Sequence, residues 1–401
     1  MIRVEEADSL IRSQLPSFPV SAVPLEEAHG RILKEDIFTD RDLPPYDRVT
    51  MDGIAIDHTA IRNGQGEFRI ECVISAGDEP PELSDTVSAC IQVMTGAKLP
   101  GNCDSVIPVE NLSIENNIAR LKPEIEVKPR QHIHPKGSDR MIGDSVLQAG
   151  LTLNSIHICI AAAVGRSRLN VADRPRFAVL TTGNEIVPVD SDVGPFQIRS
   201  SNDHGIRAAL IRTGYPAPGC VHVQDDAGST KETLKELLDT FSGIIITGGV
   251  SMGEHDHIPD ALESLNVSRV FHKIRQRPGK PLWFGISGNG KPVFALPGNP
   301  VSTMVCLHRF VIPHMEEAIG AQPKPMTYAV MEEEVVFTAN LTYHVPVKTK
   351  SRPDGRLSAW PVITNTSGDF SSLQGSDGFV ELPRTGKSAP KGTTAAYFRW
   401  I

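Results

Sequence analysis

The stretch "FSGIIITGGVSMGEHDHIPDAL" (residues 241–262) decides the fold. Its first part runs through apolar residues to Thr247, which predicts a buried strand. The next nine residues hold three glycines, a serine and three charged or titratable side chains, and a helical pattern then resumes at "IPDAL". A strand, a glycine-rich polar loop and a helix in succession predict one unit of an α/β sheet.

The same alternation extends on both sides of this stretch. Strand patterns occur at "RFAVLTT" (176–182), "CVHVQ" (220–224) and "PVFALP" (292–297), and helical patterns lie between or after them. Ser201 or Asn202 is the expected cap of the helix in "SNDHGIRAALIRTG". Strands alternating with helices of this length predict a parallel sheet covered on both faces, over residues 173–320.

The flanking regions have a different residue pattern, with shorter apolar runs and more turn residues. Residues 41–135 consist of short apolar runs separated by turn residues, which predicts a small β-rich domain. After Gly320 the chain returns to short strands with Pro, Gly and Ser, so residues 321–401 are expected to form a second β-rich module. Between these regions, "SIHICIAAAVG" predicts a compact helix that ends at Gly165.

Composition excludes several classes of function. With 401 residues, a net charge of −8 and 5% aromatic residues, the chain offers little basic or stacking surface for nucleic acid. Six scattered cysteines without a CxxC pair indicate core residues in a reducing compartment. The N-terminus does not resemble a signal peptide, and the longest apolar run is too short to span a bilayer. We therefore expect a cytoplasmic protein that binds neither nucleic acid nor membrane.

Glycines and polar or acidic residues that could bind a ligand follow each of the four predicted strands. The loops carry Gly183-Asn184-Glu185, Asp225-Asp226, "GGVSMGEHD" (248–256) and Gly298-Asn299-Pro300. Ligands of open α/β sheets bind outside the carboxyl ends of the strands, where glycines let backbone N–H groups approach an anion. Carboxylates beside an anion require a hard cation between them. The loops thus predict a phosphate or oxyanion compound with Mg²⁺, held by Glu185, Asp225 and Asp256.

Plainer interpretations stay open for single residues. An acidic residue after a strand is often only a helix cap. For any one of the four loops, this interpretation is about as strong as the functional one. His255 and His257, or His132 and His134, could ligate a metal, but solvated loop histidines are commoner. "GISGNGKP" (285–292) resembles a phosphate loop but lacks the Ser/Thr and the following helix, so a hairpin turn is expected.

Six stretches taken together resemble one family. They are "PPYDRVTMDGIAI" (44–56), "MTGAKLP" (94–100), "TTGNEIV" (181–187), "TGGVSMGEHD" (247–256), "RPGKPLWFG" (277–285) and "ALPGNPVS" (295–302). In this order they resemble the signatures of the molybdopterin molybdenumtransferases, the molybdate insertases that include bacterial MoeA and the E domain of gephyrin. A weaker match at "NTSGDFSSLQGSDGFVELP" (365–383) extends the resemblance nearly to the C-terminus.

The resemblance implies an elongated homodimer whose subunits have four domains. Domain I would comprise residues 1–40 with 136–172, domain II residues 41–135, domain III residues 173–320, and domain IV, barrel-like, residues 321–401. The fold class is then a central doubly wound α/β domain, molybdopterin-binding-like, with a β-rich second domain and a C-terminal β-barrel-like domain. The site would lie in a cleft between the α/β domain and other domains, including domain IV of the partner.

The implied activity is insertion of molybdate into adenylated molybdopterin, with Mg²⁺-dependent release of AMP. The resemblance implies as partners a molybdopterin adenylyltransferase and the molybdoenzymes that accept the cofactor. Its motif positions assign functional roles to Asp52, Thr95, Asp139, Glu185, Asp225 and Asp256. Binding roles fall to Gly248, Gly249, Ser251, Lys273, Arg277, Lys280, Pro297, Gly298, Asn299, Pro300 and Ser367.

The sequence also departs from the family pattern. Pro346 stands where domain IV usually has an Arg, with Lys348, Lys350 and Arg352 close by. "HPKGSD" (134–139) lacks the usual Arg before Asp139, so His134 and Lys136 are candidates to replace it. Two other functions stay open: a pterin enzyme like the molybdopterin adenylyltransferase, and a non-catalytic scaffold like part of gephyrin. The first lacks the flanking regions present here, and the second has no need of the three carboxylates.

Overall fold

The structure is a computed structural model that describes residues 1–250, 257–337, 339–384 and 388–400. Contacts divide the chain into two compact units. Met1–Lys34, Ala149–Asn154 and Arg168–Ile401 form the first, which we call the α/β–barrel unit. Glu35–Gln148 and Ser155–Ser167 form the second, the β-rich unit.

A six-stranded sheet organises the α/β–barrel unit. Its strands, in spatial order, are Gly219–Val223, Phe177–Thr182, Gly243–Thr247, Pro292–Leu296, Trp283–Ser287 and Val267–His272. The first four run parallel, which confirms the four predicted strands. The strand Trp283–Ser287 runs antiparallel to both of its neighbours, so the sheet is mixed rather than wholly parallel. The cause is the predicted hairpin at 285–292, which returns the chain beside its own preceding strand.

Helices cover both faces of this sheet, as the alternation predicts. Strands buried on both faces explain the unbroken apolar runs, because Phe177 and Val179 pack on one face while Ala178 and Leu180 pack on the other. One cluster includes residues of the helices Val4–Gln14, Asn202–Arg212, Pro300–Cys306 and Ile312–Ala318. The other face is covered by Ala227–Thr240 and Ile258–Ser264. The doubly wound arrangement is confirmed.

The helix after Pro300 contains a π-helical segment, Leu307–Val311. It closely precedes Pro313, which has no N–H to donate to the preceding turn, and such a residue favours a local change of helix pitch. The segment carries Arg309, whose side chain is largely buried.

A closed five-stranded barrel follows the sheet. Its strands are Tyr328–Met331, Thr342–Ser351, Leu357–Pro361, Gly378–Leu382 and Thr394–Arg399. The ring closes because the second strand pairs with both the third and the fourth. The first and fifth strands complete it, which confirms the expected barrel-like module. The short strand Gln276–Arg277 adds in parallel to the start of the second strand.

Shorter elements complete this unit. Val20–Pro24 pairs with Arg168–Ala172, and Ile186–Val187 pairs with Ile198–Arg199. Val335–Val336 pairs with Ser388–Ala389. Short 3₁₀ helices lie at Leu25–Glu27 and Ser371–Gly375.

The β-rich unit is built on a second six-stranded sheet. In spatial order its strands are Ser105–Pro108, Gly53–Ile56, Ala89–Val93, Glu67–Ile74, Ile118–Leu121 and Leu112–Glu115. Two-residue pairs join Arg48–Val49 to Ile133–His134 and Ile37–Phe38 to Ser145–Leu147. Its helical elements are His58–Arg62, Ser155–Ala163 and the 3₁₀ turn Val109–Asn111. Gly165 follows the second helix with φ +78°, as expected for a glycine that ends a helix. Across the described residues of both units, no helix is long and apolar enough to cross a membrane.

Candidate functional site

The carboxyl ends of the four parallel strands line one cavity of about 470 Å³. We call it the strand-end cavity. Each of the four loops contributes to its wall, through Gly183 and Glu185, Asp225, Gly248 and Gly249, and Gly298, Asn299 and Pro300. The structure thus brings together the residues that the sequence places after separate strands.

Close packing explains two of the glycines in the opening stretch. Gly248 and Gly249 have φ of +99° and +62°, which side chains other than glycine rarely adopt. A Cβ atom on Gly248 would lie 2.8 Å from the carbonyl oxygen of Thr182. The N–H of Gly248 donates to the carbonyl of Leu296 at 3.2 Å. We expected such N–H groups to face an anion, but this one is used to hold two strand ends together.

Asp225 is anchored at the rim of the strand-end cavity. Its Oδ1 accepts a hydrogen bond of 2.7 Å from the hydroxyl of Thr182, and its backbone N–H donates to Oδ1 of Asn184 at 3.1 Å. Thr182 is buried, whereas Asp225 is exposed. The neighbouring Asp226 is a helix cap that accepts a hydrogen bond from the N–H of Ser229 at 2.7 Å. The two adjacent carboxylates therefore have different tasks, and only Asp225 lines the cavity.

Glu185 lies on the next loop of the same cavity. Its carboxylate folds back over Gly183, since a Cβ atom there would lie 2.7 Å from Oε2 of Glu185. Asp225 and Glu185 thus present carboxylate oxygens to one cavity, the donor type that Mg²⁺ prefers. Asp256 and Ser251, which we expected beside them, lie outside the described residues. Within the described part of the chain, no group of three His, Cys, Asp or Glu side chains is placed to hold a metal ion.

Asn202 ties two of the strand ends together, a role that the sequence did not reveal. Its Nδ2 donates to the hydroxyl of Thr247 at 2.8 Å and to the carbonyl of Gly298 at 2.7 Å. We expected Ser201 or Asn202 to cap the following helix, but Asn202 is the first residue of that helix and Ser201 makes no capping hydrogen bond with its side chain. An amide has two N–H donors and can join two loops at once.

A second cavity, also of about 470 Å³, lies on the other side of the 297–300 turn. Arg277, Lys280, Pro297, Asn299 and Ser367 line it, and we call it the basic cavity. Asn299 lines both cavities, and its Nδ2 donates to the hydroxyl of Ser367 at 2.7 Å. This contact joins the α/β domain to the barrel of the same chain.

The barrel wall of the basic cavity shows the departure from the family pattern. Pro346 lines it, together with Tyr343 and His344. Arg352, which lies nearby in sequence, instead donates to Ser358 at 2.9 Å and to Glu332 at 3.2 Å, and it lines a different cavity. Lys273 follows the strand Val267–His272 with φ +74° and is absent from the described lining of both the strand-end and the basic cavity.

The β-rich unit holds the three remaining candidate residues. Asp52 accepts hydrogen bonds at Oδ1 from the N–H of Thr95 (2.7 Å) and from its hydroxyl (2.8 Å). These two bonds lower the pKa of Asp52, because they stabilise the charged carboxylate. Asp139 accepts a hydrogen bond of 2.8 Å from His134. The structure therefore pairs Asp52 with Thr95 and gives Asp139 a partner of its own.

A polar cavity thus lies at the strand ends of an α/β sheet, and a barrel follows this sheet in the chain. This arrangement places the protein among the multidomain α/β proteins with a cavity at the strand ends. Residues 178–317 match the family model described as "Probable molybdopterin binding domain". Residues 2–165 match "MoeA N-terminal region (domain I and II)", and residues 328–400 match "MoeA C-terminal region (domain IV)". The chain belongs to the MoeA family.

Relatives match over nearly the whole chain. A Synechocystis protein named molybdopterin molybdenumtransferase is 34% identical over 401 residues, covering 100% of both chains. A Staphylococcus aureus protein of the same name is 31% identical, covering 98% of this chain and 94% of its own. The crystal structure of a molybdopterin biosynthesis MoeA protein from Pyrococcus horikoshii superposes with a TM-score of 0.83 at 29% identity, covering 100% of this chain and 99% of that one.

Proposed function

We propose that this protein inserts molybdate into adenylated molybdopterin with release of AMP, in a reaction that requires Mg²⁺. The observation that carries the proposal is the pair of cavities on either side of the 297–300 turn. The strand-end cavity presents the carboxylates Glu185 and Asp225 together with Arg199. The basic cavity presents Arg277 and Lys280, and Asn299 borders both cavities. Adenylated molybdopterin contains a phosphoanhydride and would react with molybdate, an oxyanion. This reaction needs carboxylates that can hold Mg²⁺ as well as cationic side chains that can bind oxyanions.

The residues of the basic cavity suit an oxyanion. Arg277 and Lys280 contribute two cationic side chains to its lining, and the hydroxyl of Ser367 lies beside Asn299 in the same cavity. Arg277 also lies over the ring of Tyr343, with 5.6 Å from the guanidinium carbon to the ring centroid. Fixed cations of this kind stabilise charge that develops on phosphate or molybdate oxygens.

The strand-end cavity suits a hard cation. Glu185 and Asp225 would hold Mg²⁺, and Asp256 remains the predicted third carboxylate. When bound, Mg²⁺ neutralises phosphate charge and favours departure of AMP. The chain's own contribution is to fix Asp225 through Thr182 and to keep Glu185 on the adjacent loop.

Further features of the proposal follow from family membership. The protein would act as a homodimer in the cytoplasm, with four domains in each subunit. It would receive its substrate from a molybdopterin adenylyltransferase and deliver molybdenum cofactor to acceptor enzymes. Asp52, Thr95 and Asp139 would keep the functional roles that their motif positions assign to them.

A direct assay tests the proposal. Purified protein is mixed with adenylated molybdopterin, molybdate and Mg²⁺, and AMP and molybdenum bound to pterin are measured. We expect both products to appear together and to stop in excess EDTA. The melting temperature should stay unchanged, because the proposed ion serves the reaction and does not hold the fold as a structural zinc would. A rate that survives verified metal removal contradicts the Mg²⁺ requirement. Adenylation of molybdopterin, or binding without turnover, would instead identify the adenylyltransferase or the scaffold function.

A further inference from the structure

His134 occupies an unusual place in the β-rich unit. It is directly opposite Arg48 in the antiparallel pair formed by Arg48–Val49 and Ile133–His134. Side chains opposite each other across such a pair lie on the same face and interact. The guanidinium of Arg48 contacts Nδ1 of His134 at 3.0 Å.

The other nitrogen of the same ring reaches Asp139. Pro135 to Ser138 form a tight turn, in which Gly137 has φ +72° and the N–H of Ser138 donates to the carbonyl of Pro135. The turn brings Asp139 back to the ring, where Nε2 of His134 lies 2.8 Å from Oδ1 of Asp139. A chain of three side chains results, from Arg48 through His134 to Asp139.

The chemistry of the two neighbours fixes the tautomer of the ring. A guanidinium can only donate hydrogen bonds, so Nδ1 must accept. An ionised carboxylate can only accept, so Nε2 must carry the hydrogen. His134 is therefore held as the neutral tautomer with its hydrogen on Nε2, which points one donor at Asp139.

The structure also decides between the two residues that could replace the family's missing Arg. The ammonium group of Lys136 lies 3.4 Å from Oδ2 of Asp42, and its backbone N–H donates to Asp47. Lys136 is thus engaged with other carboxylates, whereas His134 contacts Asp139 directly.

We propose that His134 is a positioning residue that orients Asp139, with Arg48 holding the ring in the required tautomer. A neutral donor fixes Oδ1 without cancelling the charge of the carboxylate. Oδ2 accepts no hydrogen bond from the described residues, and it is left to accept one from an N–H or O–H group of the substrate. This inference rests on the proposed function, since it deepens the role assigned to Asp139.

Three variants separate positioning from folding. In His134→Gln the amide nitrogen can take the place of Nε2 and donate to Asp139, whereas the shorter Asn in His134→Asn can only replace Nδ1 and accept from Arg48. We expect His134→Asn to lower kcat on the order of 10-fold to 100-fold, as for residues that orient a ligating group, with little change in KM. His134→Gln should retain most of the activity, and Lys136→Gln, the matched control, should resemble the wild type. Equal loss in the Gln and Asn variants, or full activity in His134→Asn, overturns the proposal.

A measurement that does not depend on turnover distinguishes this failure from failure of the proposed function. Imidazole ¹⁵N NMR of the full chain, with His134→Gln used to assign the signal, should show hydrogen on Nε2 in the wild type. Arg48→Met should leave the hydrogen on Nε2, because the Asp139 carboxylate still accepts it, but should shift the Nδ1 signal, because that nitrogen loses its donor. The tautomer with hydrogen on Nδ1 overturns the inference even if the enzyme is active. An Nε2 tautomer in a protein that releases no AMP supports the geometry and refutes only the proposed reaction.

Discussion

Two groups of charged side chains in the α/β–barrel unit differ in how completely they are paired. At the junction of the N-terminal helix, the π-helical segment and the barrel, Arg309 donates to Asp8 (2.8 and 2.9 Å) and to Glu381 (2.6 Å). His344 lies 3.1 Å from the same oxygen of Glu381. At the strand-end cavity, by contrast, Asp225 is exposed, and among the described residues it accepts one side-chain hydrogen bond, from Thr182.

We propose that the difference separates charges that hold the fold from charges that are available to a ligand. The Arg309 side chain is 11% exposed, so its charge is tolerable only because carboxylates surround it. Asp225 keeps most of its capacity to accept hydrogen bonds or to ligate a cation. Full pairing indicates a structural role, and partial pairing at a cavity indicates a functional one. Substitutions at each place test this distinction.

The largest effect is expected at Arg309. Arg309→Met keeps the length of the side chain but leaves the partly buried carboxylates Asp8 and Glu381 without the Arg309 cation. Removal of one partner from a buried pair typically costs about 3–5 kcal/mol. We expect a loss of this size in the free energy of unfolding, measured by urea denaturation. Arg12→Met is the control, because the Arg12–Glu317 pair is exposed (56% and 39%) and should contribute less than about 1 kcal/mol. Similar losses in both variants would contradict the comparison.

The next effect is on activity and should leave stability nearly unchanged. Asp225→Asn keeps an oxygen that can accept from Thr182 but removes the charge. Loss of one preorganised electrostatic contact typically lowers the rate on the order of 10²–10³-fold. The free energy of unfolding should change by no more than about 0.5 kcal/mol, as for other exposed positions.

The adjacent residue supplies a matched control for this variant. Asp226→Asn makes the same chemical change one residue further on, at a helix cap where Asn serves about as well as Asp. It should release AMP at nearly the normal rate. If Asp225→Asn is also active, or if both variants are equally impaired, Asp225 does not have the proposed role in the reaction.

Acid should weaken the group of charged side chains around Arg309, which comprises Asp8, Arg309, His344 and Glu381. The acid-sensitive member is Glu381. Burial alone would raise the pKa of Glu381, but the hydrogen bond from His344 and the charge of Arg309 lower it to about 2, from 4.5 in the unfolded chain. A lowered pKa contributes stability that is fully present above pH 4.5 and is lost as the pH falls towards 2. The difference corresponds to roughly 3 kcal/mol.

Comparison with Glu381→Gln isolates this contribution from that of other carboxylates. Urea denaturation from about pH 7 down to about pH 3 should give the largest stability difference between wild type and variant at neutral pH. The difference should shrink below pH 4.5, because the carboxyl group of the unfolded wild-type chain then takes up a proton while that of the folded chain stays ionised down to about pH 2. A difference that stays constant over this range would show that Glu381 is not the acid-sensitive group.

Local patterns in the sequence were enough for the α/β sheet, the 285–292 hairpin and the convergence of four polar loops. These features depend on the order of apolar runs and on the rule that parallel strands end at one edge. The barrel and the family were recognised from motifs. The sequence predicts the 285–292 hairpin but not its consequence, which is that the strands Trp283–Ser287 and Val267–His272 extend the same sheet.

Contacts between distant residues could not be predicted in this way. Asp8, Arg309 and Glu381 are separated by many positions and lie in different elements, and no spacing rule links them. The sequence shows that Asn202 has a side-chain amide, but not whether its oxygen caps the helix or its nitrogen joins two loops. His134 and Lys136 were equal candidates until the turn at 135–138 showed which one reaches Asp139.

The smallest effect, and the finest test of the comparison, concerns the single hydrogen bond that anchors Asp225. Thr182→Val replaces the hydroxyl with a methyl group of similar size in a side chain that is 6% exposed. Asp225 would then lose the donor to Oδ1 but could still be solvated, so the free energy of unfolding should change by about 1 kcal/mol at most. A carboxylate that is free to rotate is correctly placed less often, and we expect kcat for AMP release to fall by about tenfold. Thr182→Ser keeps the hydroxyl and should restore most of this loss. If the Val variant matches the wild type, or the Ser variant is as slow as the Val variant, then the hydrogen bond from Thr182 does not position Asp225, and the carboxylate acts without a fixed orientation.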